Sequence, residues 1–242
     1  MKHDIYRIEG LCVEFQRWGE TVAAITDLNL TVHEGDWVML IGHNGSGKST
    51  LLRVFAGQIP PTRGTVCFKG RALDGIDCVQ TACPTAFLVE QNPLASASAK
   101  LTLLENLQVA DEDSTKLTRG ERTKKYEEML ASVGLARQMN QLARYLSGGE
   151  RQLLSLLIAQ LRPSPVLLLD EPLAALDPTK EQLCMELIAG LNRAGRTVIH
   201  VTHDHELAFS IGSRVIELER GYLKSDASIP KCSNDNGEEV SL

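Results

Sequence analysis

The chain has 242 residues, 43% hydrophobic and 23% charged, which suits one good-sized globular domain or a core domain with an insertion. Its formal net charge of −6 argues against a nucleic-acid binder, whose phosphate contacts show as a basic excess. No stretch approaches the roughly 20 apolar residues that span a bilayer, and "MKHDIYRIEG" lacks a signal-peptide core, so the expected location is cytoplasmic.

In chain order, "IYRIEGLCVEF" and "DLNLTV" alternate apolar and polar residues and read as antiparallel strands with one wet face. "DWVMLIG" (36–42) is a continuous apolar run, the mark of a strand buried on both faces. A glycine-rich loop, the helix "KSTLLRVFAG" and the strand "GTVCFKG" follow, with one more strand in "TAFLVEQ" (85–91). From about 92 to 160 the pattern becomes helical, through "LTLLENLQVA", "ERTKKYEEMLASVGL" and an apolar helix over 153–161. The charged stretch "DEDSTKLTRGERTKK" reads as a solvated loop and helix start. Buried-strand patterns return in "PVLLLD" (165–170) and "TVIHVT" (197–202), separated by the amphipathic helix "KEQLCMELIAGLNRAG". "SRVIELERGYL" reads as a closing hairpin, and the polar tail 225–242 as disordered. Alternating strands and helices imply an α/β fold, and the all-helical middle implies an insertion into it.

"GHNGSGKST" supplies Gly42, Asn44, Gly45, Ser46, Gly47, Lys48, Ser49 and Thr50, the G-x-x-x-x-G-K-[ST] phosphate loop, after a buried strand and before a helix. Its glycines let backbone N–H groups turn inward around phosphate oxygens at a helix N-terminus. Lys48 is expected on the β- and γ-phosphates and the Ser49 hydroxyl on Mg²⁺. Asp170 and Glu171 end the strand "PVLLLD", where ligands of α/β sheets bind. Asp170 is expected to hold Mg²⁺ through water, and Glu171 to act as the base for a water attacking the γ-phosphorus.

A second anion site is written in "YLSGGERQLL", where Ser147, Gly148 and Gly149 open a helix. The segment "LSGGE" (146–150), together with the phosphate loop and the acids downstream, resembles the signature of the ABC ATPases. Gln91 in "FLVEQNP" is similar to that family's Q-loop glutamine, "AALD" (174–177) to its D-loop, and His203 in "VTHDHE" to its switch histidine. The resemblance covers about residues 5–224. It implies a P-loop NTPase core with a mainly parallel sheet, an antiparallel β subdomain and an inserted helical subdomain.

The family resemblance also implies that two subunits stack head to tail, each ATP lying between one phosphate loop and the other subunit's signature. The second subunit would be another copy of this chain or a sister ATPase. On that pattern His203 contacts the γ-phosphate, Gln91 touches Mg²⁺ or water, and Asp177 signals across the dimer. The adenine is expected on an aromatic upstream of the loop, either Phe15 or Trp18, with Phe15 slightly preferred. Ala174 stands where serine is usual and Glu150 where glutamine is usual. The resemblance points to an ATP-dependent transport subunit working with membrane permeases and, indirectly, a solute-binding protein. In detail it looks closest to an importer group with branched-chain-type permeases. The alternative is a non-transport ATPase such as one that assembles iron–sulfur clusters.

His200, His203 and His205 have no cysteine or carboxylate set to complete a metal shell. Cys12, Cys67, Cys78, Cys83, Cys184 and Cys232 lack paired metal spacing and read as reduced thiols.

Overall fold

The computed structural model describes residues 3–17, 19–73, 86–91, 97–174 and 176–229. The chain begins with strands β1 (Asp4–Arg17), β2 (Glu20–His33) and β3 (Trp37–Ile41), then helix α1 (Lys48–Phe55) and strands β4 (Arg63–Phe68) and β5 (Arg71–Ala72). Next come β6 (Phe87–Val89), α2 (Leu103–Ala110), α3 (Arg119–Ser132), α4 (Gly148–Leu161) and β7 (Val166–Asp170). Helix α5 (Pro178–Arg193), β8 (Thr197–Val201), α6 (His205–Ile211), β9 (Arg214–Glu219) and β10 (Tyr222–Ser228) complete it. Two compact units result, Met1–Ala82 with Thr197–Leu242, and Cys83–Arg196.

The first unit holds two sheets. In the antiparallel one, with order β2-β1-β4-β5, Ile8 faces Leu30 and Val13 faces Ile25, and all four side chains are buried. The alternation in "IYRIEGLCVEF" therefore marks one buried face. Gly64 is required here, because a Cβ would lie 2.2 Å from the Gly10 carbonyl oxygen. In the other sheet β3 runs parallel to β8 on one side and to β9 on the other, with β10 antiparallel to β9. All five residues of β3 and of β8 are buried, as continuous apolar runs predict. Tyr6 of β1 packs its ring 4.4 Å from that of Phe55, and its hydroxyl donates to the Phe55 carbonyl at 2.8 Å. That contact ties the antiparallel sheet to the end of α1.

The second unit packs helices around α4, whose residues Gln152 to Ala159 are all buried, beside the parallel pair β6–β7. Three of its helices start on the same device. Thr102, Thr118 and Ser147 each accept the N–H of a glutamate three residues on, whose carboxylate accepts the N–H of the cap residue. Helix α4 thus starts at Gly148, ahead of the apolar run over 153–161. Buried Asn106 donates from Nδ2 to the carbonyls of Ser98, Leu101 and Thr102 and accepts the Ser98 N–H, fixing the segment before α2.

The charged stretch is more ordered than expected: Glu112–Lys116 form a 3₁₀ turn and α3 starts at Arg119. The hairpin also runs further, since β10 reaches Ser228 and residues 225–228 belong to a strand. The rest of the expected tail, from 230, lies outside the described residues.

Candidate functional site

In the first unit the phosphate loop joins β3 to α1. Gly42 has φ 143, and a Cβ there would lie 2.2 Å from the Leu218 carbonyl oxygen. Gly47 caps α1 with φ 101, and its missing Cβ would meet the Ala24 carbonyl oxygen at 2.5 Å. Both glycines are dictated by the tight path of the loop. Lys48 is buried, and its ammonium donates to the carbonyls of Gly42 at 2.6 Å and His43 at 3.0 Å. Ser46 Oγ is buried with no hydrogen-bond partner among the described residues, a hydroxyl available to an anion. Ser49 lies exposed in the first turn of α1. These residues fit a nucleotide phosphate chain with its cation.

Phe15 is half-buried on β1 opposite Val22 of β2, on the same hairpin whose Ala24 touches Gly47. Trp18, the other aromatic candidate, lies outside the described residues. His203 follows β8, and Asp204 caps α6 by accepting the Leu207 N–H. His200 is fully buried in β8 with both ring nitrogens unpartnered among the described residues, and burial pushes its pKa down to about 3. It is a neutral core residue.

In the second unit Asp170 ends β7, and Glu171 follows with φ 52, a left-handed conformation that is costly for a non-glycine residue. Gln91, just after β6, sends its Nε2 to Glu171 Oε2 at 3.4 Å. Two residues 80 positions apart in sequence are therefore brought together. No group of three or more His, Cys, Asp or Glu side chains that could hold a metal ion occurs among the described residues. A Mg²⁺ ion seated on Asp170 would take its remaining ligands from hydroxyl, phosphate and water oxygens, as hard cations do.

The signature forms the N-terminus of α4 in this same unit. Ser147 Oγ accepts the Glu150 N–H, and Glu150 Oε2 accepts the Ser147 N–H at 2.7 Å, which holds the Glu150 carboxyl below its ordinary pKa. Glutamate at 150 therefore has a structural role, completing the capping box. The N–H groups of Gly148 and Gly149 belong to the first turn, where a helix has no acceptors of its own. Asp177 caps α5, its Oδ1 accepting the Lys180 N–H at 3.1 Å. Lys180 is a residue that sequence reading passed over. Its only sequence signal is an i,i+3 pairing with Asp177.

Of the cysteines, Cys12 and Cys67 are half-buried free thiols, and burial pushes the Cys184 thiol up to about 12. Cys78, Cys83 and Cys232 lie outside the described residues.

Comparison with known proteins gives a consistent result. Residues 25–174 match the family described as ABC transporter. The macrolide export ATP-binding/permease protein MacB of Bradyrhizobium diazoefficiens is 33% identical over 93% of this chain and 34% of its own length. The chain thus spans about a third of the MacB proteins it matches. An uncharacterised ABC transporter ATP-binding protein of Methanocaldococcus jannaschii is 34% identical over 83% of this chain and 89% of its own length. Among solved structures, a dimeric ATP-binding cassette in a post-hydrolysis state with ADP and Pi superposes with a TM-score of 0.81 at 28% identity. That match covers 93% of this chain and 99% of the cassette. The phosphate loop, the strand-end acids and the capped signature helix now have one reading: the chain belongs to the ABC transporter family and is an ATPase domain that binds and hydrolyses ATP with Mg²⁺.

Proposed function

We propose that ATP is hydrolysed in a site shared by two cassettes, which close head to tail on the nucleotide and thereby drive a membrane-embedded permease. The observation that carries this reading is Gly148: a Cβ there would meet nothing within 4 Å among the described residues, so their packing does not call for a glycine. It stands at the N-terminus of a 14-residue helix, whose first-turn N–H groups have no acceptor in the helix ladder, suited to close approach by a phosphate from outside the chain. The related cassette that is dimeric with ADP and Pi supports the same arrangement.

In this reading the N–H groups of Gly42, Asn44, Gly45, Ser46 and Gly47 wrap the phosphates, and Lys48 binds the β- and γ-phosphates. Thr50 continues the loop into α1, and Phe15 or Trp18 stacks under the adenine. Ser49 and Asp170 hold Mg²⁺, Asp170 through water, with Gln91 beside them. The ion supplies charge neutralisation for the phosphates. Glu171 takes the proton of the attacking water, and its contact with Gln91 aims it. His203 binds the γ-phosphate, and Ser147, Gly148 and Gly149 of the facing subunit close the site. Asp177 carries the state of one site towards the other.

For the whole transporter we favour export through a MacB-like permease, because relatives named for macrolide export match over most of this chain. The branched-chain-type importer suggested by the sequence, its solute-binding protein and the iron–sulfur alternative have no support among the relatives named above. No helix among the described residues is long and apolar enough to cross a membrane. In this reading the permease holds the cassette at the inner face of the membrane.

Sizing of Glu171→Gln protein with and without ATP and Mg²⁺ tests the shared site. The expected result is a monomer that becomes an ATP-locked dimer, with turnover lost. A variant that stays monomeric under ATP overturns the shared site, and continued hydrolysis removes Glu171 from the role of base.

A further inference from the structure

Gly149 differs from Gly148 in what surrounds it. A Cβ on Gly149 would lie 2.5 Å from Cδ of Lys180 and 3.2 Å from Cδ2 of Leu176. The second signature glycine is therefore roofed by Leu176, just before the Asp177 cap, and by Lys180 in the first turn of α5. The roof is held at its far end, where Lys180 Nζ pairs with Asp177 Oδ2 at 3.0 Å while Asp177 Oδ1 accepts the Lys180 N–H. One lysine thus engages both oxygens of the D-loop carboxylate and lays its stem on the signature. Its charge also acts on Glu150, the residue that completes the α4 capping box. Glu150, Leu153, Asp177, Lys180 and Leu183 line one hollow of about 300 Å³, so Lys180 shares one surface with the cap residues of both helices.

We infer that Lys180 is a positioning residue that couples the signature to the D-loop of the same subunit, fixing the Gly148–Gly149 donors and the Asp177 carboxylate as one rigid edge. This rests on the shared-site reading above and goes further, by naming what holds the docking edge in shape. Two properties of lysine are used. The aliphatic stem lies where a Cβ on residue 149 would crowd it, and the ammonium holds Oδ2 of a carboxylate whose Oδ1 is already fixed by the helix cap. Lys180 belongs neither to the phosphate loop nor to the strand-end acids, so its removal should leave nucleotide binding by the isolated subunit unaltered.

The test uses the full chain in the Glu171→Gln background, comparing Lys180 with Lys180→Ala, Lys180→Met and Lys180→Arg. ATP-dependent dimerisation is followed by sedimentation, and ATP affinity of the dilute monomer by a fluorescent analogue. Each homodimer contains the edge twice, so a loss of about threefold per site becomes about tenfold in the dimer constant. The Ala variant is expected to weaken the dimer by about tenfold and the Met variant, which keeps the stem, by less. The Arg variant should recover most of the loss, with monomer ATP affinity equal in all four. Melting of the monomer checks folding, and the Met and Arg variants decide the matter if the Ala variant unfolds. Equal dimerisation of all variants overturns the inference, as does a parallel fall in monomer ATP affinity. Failure of the parent to dimerise overturns the shared site itself, a different result.

Discussion

His200 is buried in the middle of β8 without a hydrogen-bond partner for either ring nitrogen among the described residues. Its folded pKa, pushed down to about 3, lies below its ordinary 6.5, so the unfolded chain binds the proton more readily between those values. Stability from this residue is complete above pH 6.5 and is lost as pH falls towards 3. A one-unit shift corresponds to about 1.4 kcal/mol, so at pH 5 the loss approaches ~2 kcal/mol. Leucine at 200 removes the titration and spares two unsatisfied nitrogens, so His200→Leu should be more stable by about 1 kcal/mol at pH 7.5. Urea unfolding at pH 7.5 and pH 5 measures this. The gap between variant and wild type should widen on acidification, and a constant gap would refute it. Sequence reading placed His200 on a strand and set it aside as a ligand, but its lack of partners comes from tertiary burial. Lys180 was invisible for the same reason, because its stem meets Gly149 only after α4 and α5 pack.

Helix α4 is held at both ends by different chemistry. At its N-terminus the Ser147–Glu150 box satisfies donors locally, and such a box can be read in any sequence. At its C-terminus Arg196 donates to the carbonyls of Ala159, Gln160 and Arg162, at 2.5, 3.2 and 2.6 Å. A guanidinium fork meets three carbonyls that a helix end leaves without partners. It arrives from beyond α5, so no local pattern announces it. Lysine has no such fork: Arg196→Lys is expected to cost about 1–2 kcal/mol and Arg196→Met somewhat more, since the part-buried contacts to the Ala159 and Arg162 carbonyls are then lost. Urea midpoints would show the loss, and amide exchange should quicken first near Leu161. The reading of elements follows the same logic. The start of α4 is legible, because Ser147 and the two glycines after it read as opening the helix. The end of β10 was missed because residues 224–228 are all exposed and give no apolar alternation. That strand is held by backbone pairing and by the Arg214–Asp226 pair.

For the whole molecule, a shared site ties turnover to encounter between subunits. Specific ATPase activity of the isolated protein should therefore rise with protein concentration until the dimer is saturated. A specific activity that stays flat across the range where sizing shows monomer and dimer exchanging would argue for a complete site within one chain. The phosphate loop, the acid pair and the signature were legible because each is a short local pattern with a fixed backbone form. Gln91 could be placed only by family resemblance, since its contact with Glu171 joins segments 80 residues apart.

The pairing of β3 carries a consequence for how the protein is made. Its neighbours β8 and β9 begin at Thr197 and Arg214, far downstream of Trp37–Ile41. The second unit, by contrast, is continuous from Cys83 to Arg196, and three of its helices carry their own start signals. On the ribosome, chain order lets the helical unit fold while β3 still waits for its partners. The strand that carries the phosphate loop enters its sheet only when synthesis is nearly complete. A nascent chain released early would expose its most apolar strand and bind no nucleotide, so ATP binding reports that the chain has been made through β9.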